Sequence, residues 1–144
     1  MPSIRKTLFK KSLRPAPAAL RILVVEDNAI IAMLLEATLT DMGHAVCAIE
    51  ATETGAVAAA ALHRPGLLIV DAELSEGSGI SAVDRILRDR FIPHVFVSGG
   101  DLKPAMLDSR AVRLSKPYDE RALRAAIQSA LTTPVVVLEA PRAE

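Results

Sequence analysis

The sequence predicts a doubly wound α/β domain, in which a parallel sheet is covered by helices on both faces. Three observations carry this. Short aliphatic runs occur five times and are separated by segments whose apolar residues recur at helical spacing. The connections between them are short, which favours strand–helix–strand crossovers and a parallel sheet. The 144 residues, 51% of them hydrophobic, are enough for one domain with a core on each side of such a sheet.

The elements follow in order. Residues 21–26 (RILVVE) form an aliphatic, β-branched run suited to a strand buried on both faces. In 28–42, Ile30, Ile31, Leu34, Leu35, Thr38 and Leu39 repeat at helical spacing, and Gly43 stands where a left-handed cap is expected. Residues 45–49 read as a second strand. The Ala-rich stretch 52–63 is helical, with Thr52 or Thr54 as N-cap and Pro65-Gly66 as its stop. Residues 67–70 form a third buried strand ending at Asp71. After a loop with Ser75, Gly77 and Gly79, residues 80–90 are helical, with Ile80, Val83, Leu87 and Phe91 in one stripe and Pro93 beyond it. Residues 94–97 form the fourth strand, ending at Ser98-Gly99-Gly100. A short helix of about two turns, or a loop, fits within 103–108. Residues 111–114 form the fifth strand, ending at Ser115-Lys116-Pro117. Asp119 caps a last helix that runs to Leu131 and turns Leu123, Ala126, Ile127, Ala130 and Leu131 inward.

Composition excludes several classes. The longest apolar runs are far short of the ~18–20 residues of a membrane span, so no transmembrane segment is expected. The N-terminus lacks the continuous apolar region of a signal peptide. Cys47 is the only cysteine, which rules out an internal disulfide or a multi-cysteine zinc site and fits a reduced, cytoplasmic setting. His44, His63 and His94 have no metal-ligand spacing. The net charge of zero hides an asymmetry: Arg5, Lys6, Lys10, Lys11 and Arg14 crowd residues 1–19 without an acid, leaving 12 basic against 17 acidic residues elsewhere. An acidic body with 3% aromatics is poorly suited to nucleic acid, so no direct DNA binding is expected. The expected organisation is a basic extension at 1–19, one domain at 20–132, and a tail at 133–144.

In open parallel sheets, sites form beyond the carboxyl ends of the strands, where the strand order reverses. The residues there are Glu26 and Asp27 after the first strand, Asp71 after the third, Ser98 after the fourth and Lys116 after the fifth. Three carboxylates at one edge repel one another unless a cation joins them. Mg²⁺ suits such a cluster, because it takes oxygen ligands and commonly combines one or two carboxylates with phosphate oxygens. Lys116 can meet a phosphoryl group as a point charge, and Ser98 can donate a hydrogen bond to it. A carboxylate nucleophile beside a metal and a cation suits phosphoryl transfer to Asp71.

Five fragments carry a resemblance: Val24-Val25-Glu26-Asp27-Asn28, Leu68-Ile69-Val70-Asp71, Gly79 eight residues later, Val97-Ser98-Gly99, and Leu114-Ser115-Lys116-Pro117-Tyr118. Each is weak alone, but in this order, each at a strand end or in its loop, they resemble the receiver domain of bacterial two-component response regulators. The resemblance covers about residues 20–131. It implies a flavodoxin-like (βα)5 receiver fold with strand order 2-1-3-4-5. It makes Asp71 the phosphoacceptor, with Asp27 binding Mg²⁺ directly, Glu26 largely through water, and the backbone carbonyl of Glu73 completing the protein ligands. Ser98 and Lys116 would engage the phosphoryl group, and Lys116-Pro117 would be a cis bond. The implied partners are a sensor histidine kinase or histidine phosphotransfer protein and a downstream protein target. A homodimer is compatible with this reading. Only 13 residues follow Leu131, so output is expected through protein–protein binding or phosphorelay, in a phosphoacceptor signalling protein and not a turnover enzyme.

The chain departs from the family pattern in places. Ser75 stands where proline is frequent, Glu26 replaces an aspartate, and Arg113 occupies a position that is usually aromatic. Lys116 follows Ser98 by only 18 positions. These features resemble a subset of stand-alone receivers with a Pro-x-x-Phe-x-(Thr/Ser)-Gly segment, here Pro93 to Gly99. Arg113 is expected to stay at the surface. Two other readings stand beside the receiver. A haloacid-dehalogenase-like phosphatase uses the same groups, but wants Asp-x-Asp at the nucleophile where this chain has Asp71-Ala72-Glu73, and its acidic pair late where this one comes first. A phosphorylation-independent binding module on the same fold is the other.

Overall fold

The computed structural model describes residues 19–132. Apart from Ala19, the basic extension and the tail expected from the sequence lie outside the described residues. The elements are β1 (Arg21–Val25), α1 (Ala29–Asp41), β2 (Ala45–Glu50), α2 (Glu53–His63), β3 (Leu67–Asp71), α3 (Gly79–Leu87), β4 (His94–Ser98), a single 3-10 turn (Pro104–Met106), β5 (Val112–Ser115) and α4 (Glu120–Leu131). All strand pairs are parallel, in the order β2-β1-β3-β4-β5. The strand order reverses at β1 and β3, and the carboxyl edge there holds the residues singled out above.

Alternation along each strand divides the core. Ile22, Val24, Leu67, Ile69, Val95 and Val97 face α1 and α4, against Leu35, Leu39, Leu123 and Ile127. Leu23, Val25, Leu68, Val70 and Phe96 face α2 and α3, against Ala56, Ala60, Val83 and Ile86. β1, β3 and β4 are the inner strands, and four or five residues of each are buried. Small alanines at 56, 59 and 60 let α2 lie close to the sheet. No helix of the described residues is long and apolar enough to cross a membrane.

The caps match the sequence in part. Asn28 Oδ1 accepts from the N–H groups of Ile30 and Ile31, both at 3.0 Å, so asparagine caps α1 and leaves Asp27 free for other contacts. Thr52, Ser78 and Asp119 cap α2, α3 and α4. Gly43 has φ +96°, the left-handed conformation expected beyond α1. α2, however, ends on Arg64 at φ 46°, before the Pro65-Gly66 stop.

Of the two readings of 103–108, a short helix or a loop, the structure has the second: the segment holds one 3-10 turn and no two-turn helix. None of the residues of that turn is buried, so nothing repays the cost of nucleating a longer helix. α3 starts at Gly79 and stops at Leu87, short of residue 90. Its buried set is Gly79, Ala82, Val83 and Ile86, the i, i+3, i+4, i+7 face fixed by Gly79 packing on β3, so Ile80, Leu87 and Phe91 are only half-buried. Finally, α1 is apolar nearly all round, and the sheet covers only Ala32, Leu35 and Leu39. Ile30, Met33 and Leu34 remain 68%, 64% and 64% exposed.

His94, at the start of β4, is fully buried between Phe91 and Phe96, whose rings meet it edge-on at 5.8 and 5.5 Å. Its Nδ1 lies 2.8 Å from the Ile92 carbonyl, which can only accept, so Nδ1 carries the proton. Nε2 has no hydrogen-bond partner. Burial holds the imidazole below its ordinary 6.5. The Ile92 hydrogen bond and the charges of Asp108 and Asp84 act against that shift, and Arg110 adds to it. Between the lowered folded value and 6.5 the unfolded chain binds more protons, so stability falls as pH falls through this window. Thermal melts across this range should show a shallower acid-side decline for His94→Leu than for the wild type. His44, also lowered by burial and then by Arg124, would account for the remainder. An unchanged slope would show that His94 is not the source.

Candidate functional site

The parallel register aligns the ends of four strands. Val25 pairs with Val70, Asp71 with Val97, and Ser98 with Ser115. One step beyond β1 comes Glu26, then Asp27. Asp71 closes β3, Ser98 closes β4, and Lys116 follows β5. The fold therefore brings Glu26, Asp27, Asp71, Ser98 and Lys116 to one edge from segments up to 90 residues apart.

Glu26, Asp27 and Asp71 each offer a carboxylate oxygen within 4.8 Å of the other two. Lys116 Nζ lies 3.2 Å from Asp71 Oδ2, and Asp71 is almost fully buried. Asp71 Oδ1 accepts from Glu73 N at 2.9 Å. The Asp71 carboxylate is thus held from both sides, by the lysine and by the backbone of the β3–α3 loop. The Lys116–Pro117 peptide bond is cis.

The charges are unequal in environment. Burial raises Glu26 above its ordinary range, and the neighbouring charge of Asp71 adds to this, while the Asn28 N–H at 3.0 Å works against it. Asp27 moves the other way. Its Oδ2 accepts from both Oγ and N of Ser75, at 2.6 and 2.7 Å, and these hydrogen bonds lower it. For Lys116, burial alone favours the neutral amine. The Asp71 contact and the charges of Asp71, Glu26 and Glu73 outweigh it, so the ammonium is held more firmly than in water.

Two site residues stand differently from the sequence reading. Ser98 Oγ lies against Glu73 Oε2 at 2.7 Å, and accepts from Gly100 N at 3.0 Å. Glu73 was singled out for its backbone carbonyl, but its exposed side chain also reaches the site. Ser75, noted only as a departure from proline, holds Asp27. Hydroxyls in an irregular loop carry no directional pattern, so neither contact could be read from spacing. Arg113 is exposed, and its guanidinium donates to the Leu102 carbonyl at 3.2 Å. Tyr118, which follows the Lys116-Pro117 pair, lines a cavity of about 310 Å³ with Ile31, Leu35, Glu26, Asp71 and Lys116, and burial raises its phenol.

The arrangement pairs one buried, lysine-held carboxylate with two more acidic groups. Its donors are all hard oxygens, the set that suits a divalent cation such as Mg²⁺ better than a soft metal.

The sequence matches the response regulator receiver domain family over residues 22–128. It is 35% identical over 126 residues to the phyllosphere-induced regulator PhyR of Methylorubrum extorquens, covering 81% of this chain and 45% of that protein. It is 33% identical over 116 residues to the transcriptional regulatory protein PdtaR of Mycobacterium tuberculosis, covering 78% of this chain and 57% of that one. The chain thus spans about half the length of the curated relatives it matches. Among solved structures, the receiver domain of PhyR from Erythrobacter litoralis superposes with a TM-score of 0.70 at 31% identity, over 82% of this chain and 94% of that one. The anti-anti-sigma factor PhyR of Bartonella quintana gives 0.70 at 28% identity, over 90% of this chain and 54% of that one.

Proposed function

The chain belongs to the response regulator receiver domain family, and on that premise we propose that it receives a phosphoryl group on Asp71 from a histidine kinase or a histidine phosphotransfer protein. The observation that carries this is the buried Asp71 carboxylate at the end of β3, held 3.2 Å from Lys116 and flanked by Glu26 and Asp27. An Asp71 oxygen attacks phosphorus while the bond from phosphorus to the donor nitrogen breaks, and the electron pair leaves with the imidazole. Lys116 balances the charge that gathers on the phosphoryl oxygens. Ser98, at the end of β4, donates its hydroxyl once it is free to do so. Glu26, Asp27 and Asp71 with the Glu73 carbonyl would hold Mg²⁺, which when bound would supply positive charge to offset the acidic cluster and the phosphoryl oxygens.

The protein is read as a signalling phosphoacceptor and not a turnover enzyme, working in the cytoplasm through a downstream protein target. The exposed Ile30, Met33 and Leu34 on α1 begin three residues after Asp27. That apolar surface beside the acceptor is where a protein donor would seat.

The test is incubation of the full chain with acetyl phosphate, with and without Mg²⁺, read by intact mass. One phosphate should be added, and only with Mg²⁺. Leu34→Glu should slow transfer from a protein donor while leaving acetyl phosphate labelling at the wild-type rate. Absence of Mg²⁺-dependent labelling would sink the assignment.

A further inference from the structure

The Ser98 hydroxyl, the group meant for the phosphoryl oxygens, is already engaged. Its Oγ lies 2.7 Å from Glu73 Oε2 and 3.1 Å from the Gly100 carbonyl. A hydroxyl has one proton, and the charged, nearer acceptor takes it. Glu73 comes to that place through the backbone that binds the acceptor, since its N–H donates to Asp71 Oδ1 at 2.9 Å. Its charge also acts on Lys116. An anion is therefore tethered two residues from Asp71, making one of the contacts that a phosphoryl group on Asp71 would need and adding to the field on the other.

We propose that the Glu73 carboxylate is a built-in stand-in for the phosphoryl group, which holds Ser98 in the unphosphorylated protein and must leave when Asp71 is phosphorylated. The inference rests on the reading of Asp71 as the phosphoacceptor. Glu73 acts in two ways. It keeps the Ser98 proton from the incoming group, and it places a negative charge beside a site that must admit a multiply charged anion. The exit is open, because Glu73 is exposed and can swing into solvent, whereas Ser98 is buried and fixed at the strand end. Glu73 is a positioning residue in this scheme: it sets when Ser98 becomes available.

The experiment measures the rate of labelling by acetyl phosphate with Mg²⁺ in the full chain for wild type, Glu73→Ala, Glu73→Gln, Ser98→Ala and the double variant Glu73→Ala/Ser98→Ala. Removing the carboxylate, which both frees Ser98 and takes away the charge, should speed labelling about tenfold in Glu73→Ala. Glu73→Gln keeps the side chain's shape and its acceptor oxygen, and should fall between the two. It also carries the test if the alanine variant does not fold. The decisive reading is non-additivity. With Ser98 gone only the charge effect remains, so the gain from Glu73→Ala should shrink to a fewfold in the Ser98→Ala background. Equal rates for wild type and both Glu73 variants would overturn the inference. So would a gain that is undiminished without Ser98, since that leaves Glu73 a mere local charge. In either case wild type still labels, and the reading of Asp71 stands. If wild type takes no phosphate, that reading fails and this inference falls with it.

Discussion

Asp71→Asn is expected to take no phosphate from acetyl phosphate or a protein donor, while keeping its fold. The asparagine amide is uncharged, and neither of its heteroatoms is a competent nucleophile toward phosphorus at neutral pH. The side-chain shape survives, and Oδ1 can still accept from Glu73 N. What is lost is the contact from Lys116 to Oδ2. That lysine's side chain is 36% exposed, so solvent screens the pair and its loss costs up to about 1 kcal/mol. The change also removes one of three mutually repelling carboxylates, the one that helps to raise Glu26. The two effects oppose each other, and the melting temperature in metal-free buffer should lie within a few degrees of wild type. Mg²⁺ affinity should drop, since one anionic ligand is gone. Intact mass after labelling and a thermal melt with and without Mg²⁺ check these outcomes. Labelling of Asp71→Asn at the wild-type level would place the phosphoacceptor elsewhere.

The strands were legible because their burial on both faces demands unbroken aliphatic runs, and LLIV and HVFV have no other comfortable place in a domain of this size. α4 was legible because its polar and apolar faces are clearly separated; only Leu131 departs, at 39% exposed. α1 was legible as a helix but not in its orientation. With apolar residues on nearly every side, nothing in the sequence says that Leu35 and Leu39 face the sheet while Ile30 and Leu34 face out. For the segment after Ser98 the sequence leaves a short helix and a loop both open, because the two differ by a few half-buried contacts of Leu102 and Leu107.

For the site, the fold does most of the work of assembly. Parallel strands align their ends, so strand-end polar residues gather whatever their separation in sequence. That is why the sequence alone groups Glu26, Asp27, Asp71, Ser98 and Lys116. The contacts made by Ser75 and the Glu73 side chain depend on the path of the β3–α3 loop. That path is set by pieces far apart, among them Glu53 at the start of α2. Its carboxylate accepts from Ser78 N at 3.1 Å and Ser81 Oγ at 2.6 Å, and pairs with Arg85 at 3.2 Å. No local pattern encodes such a brace.

Gly79→Ala is expected to be the most damaging glycine-to-alanine change among the described residues. A methyl group on residue 79 would lie 2.0 Å from the Asp71 carbonyl oxygen and 2.8 Å from Val70 Cγ1. The first of these is backbone in a fully buried strand and cannot turn aside as a side-chain tip could. α3 must therefore lift off β3, breaking the Gly79 N–H to Ala72 carbonyl bond at 3.1 Å and loosening Ala82, Val83 and Ile86 from the sheet. Overpacking of this kind costs about 3 kcal/mol, or roughly 10 °C in melting temperature for a domain of this size. The same displacement bears on chemistry, because the strained atom belongs to Asp71, the proposed phosphoacceptor. If Asp71 moves relative to Lys116, labelling by acetyl phosphate should slow roughly 10- to 100-fold. Gly100→Ala is the control: the same atoms are added near the same edge, but nothing lies within 4 Å of the new methyl, and its N–H to Ser98 Oγ is retained. Its melting temperature should stay within a few degrees of wild type. If Gly79→Ala melted and labelled like Gly100→Ala, the close approach of α3 to Asp71 would not be what holds the acceptor in place.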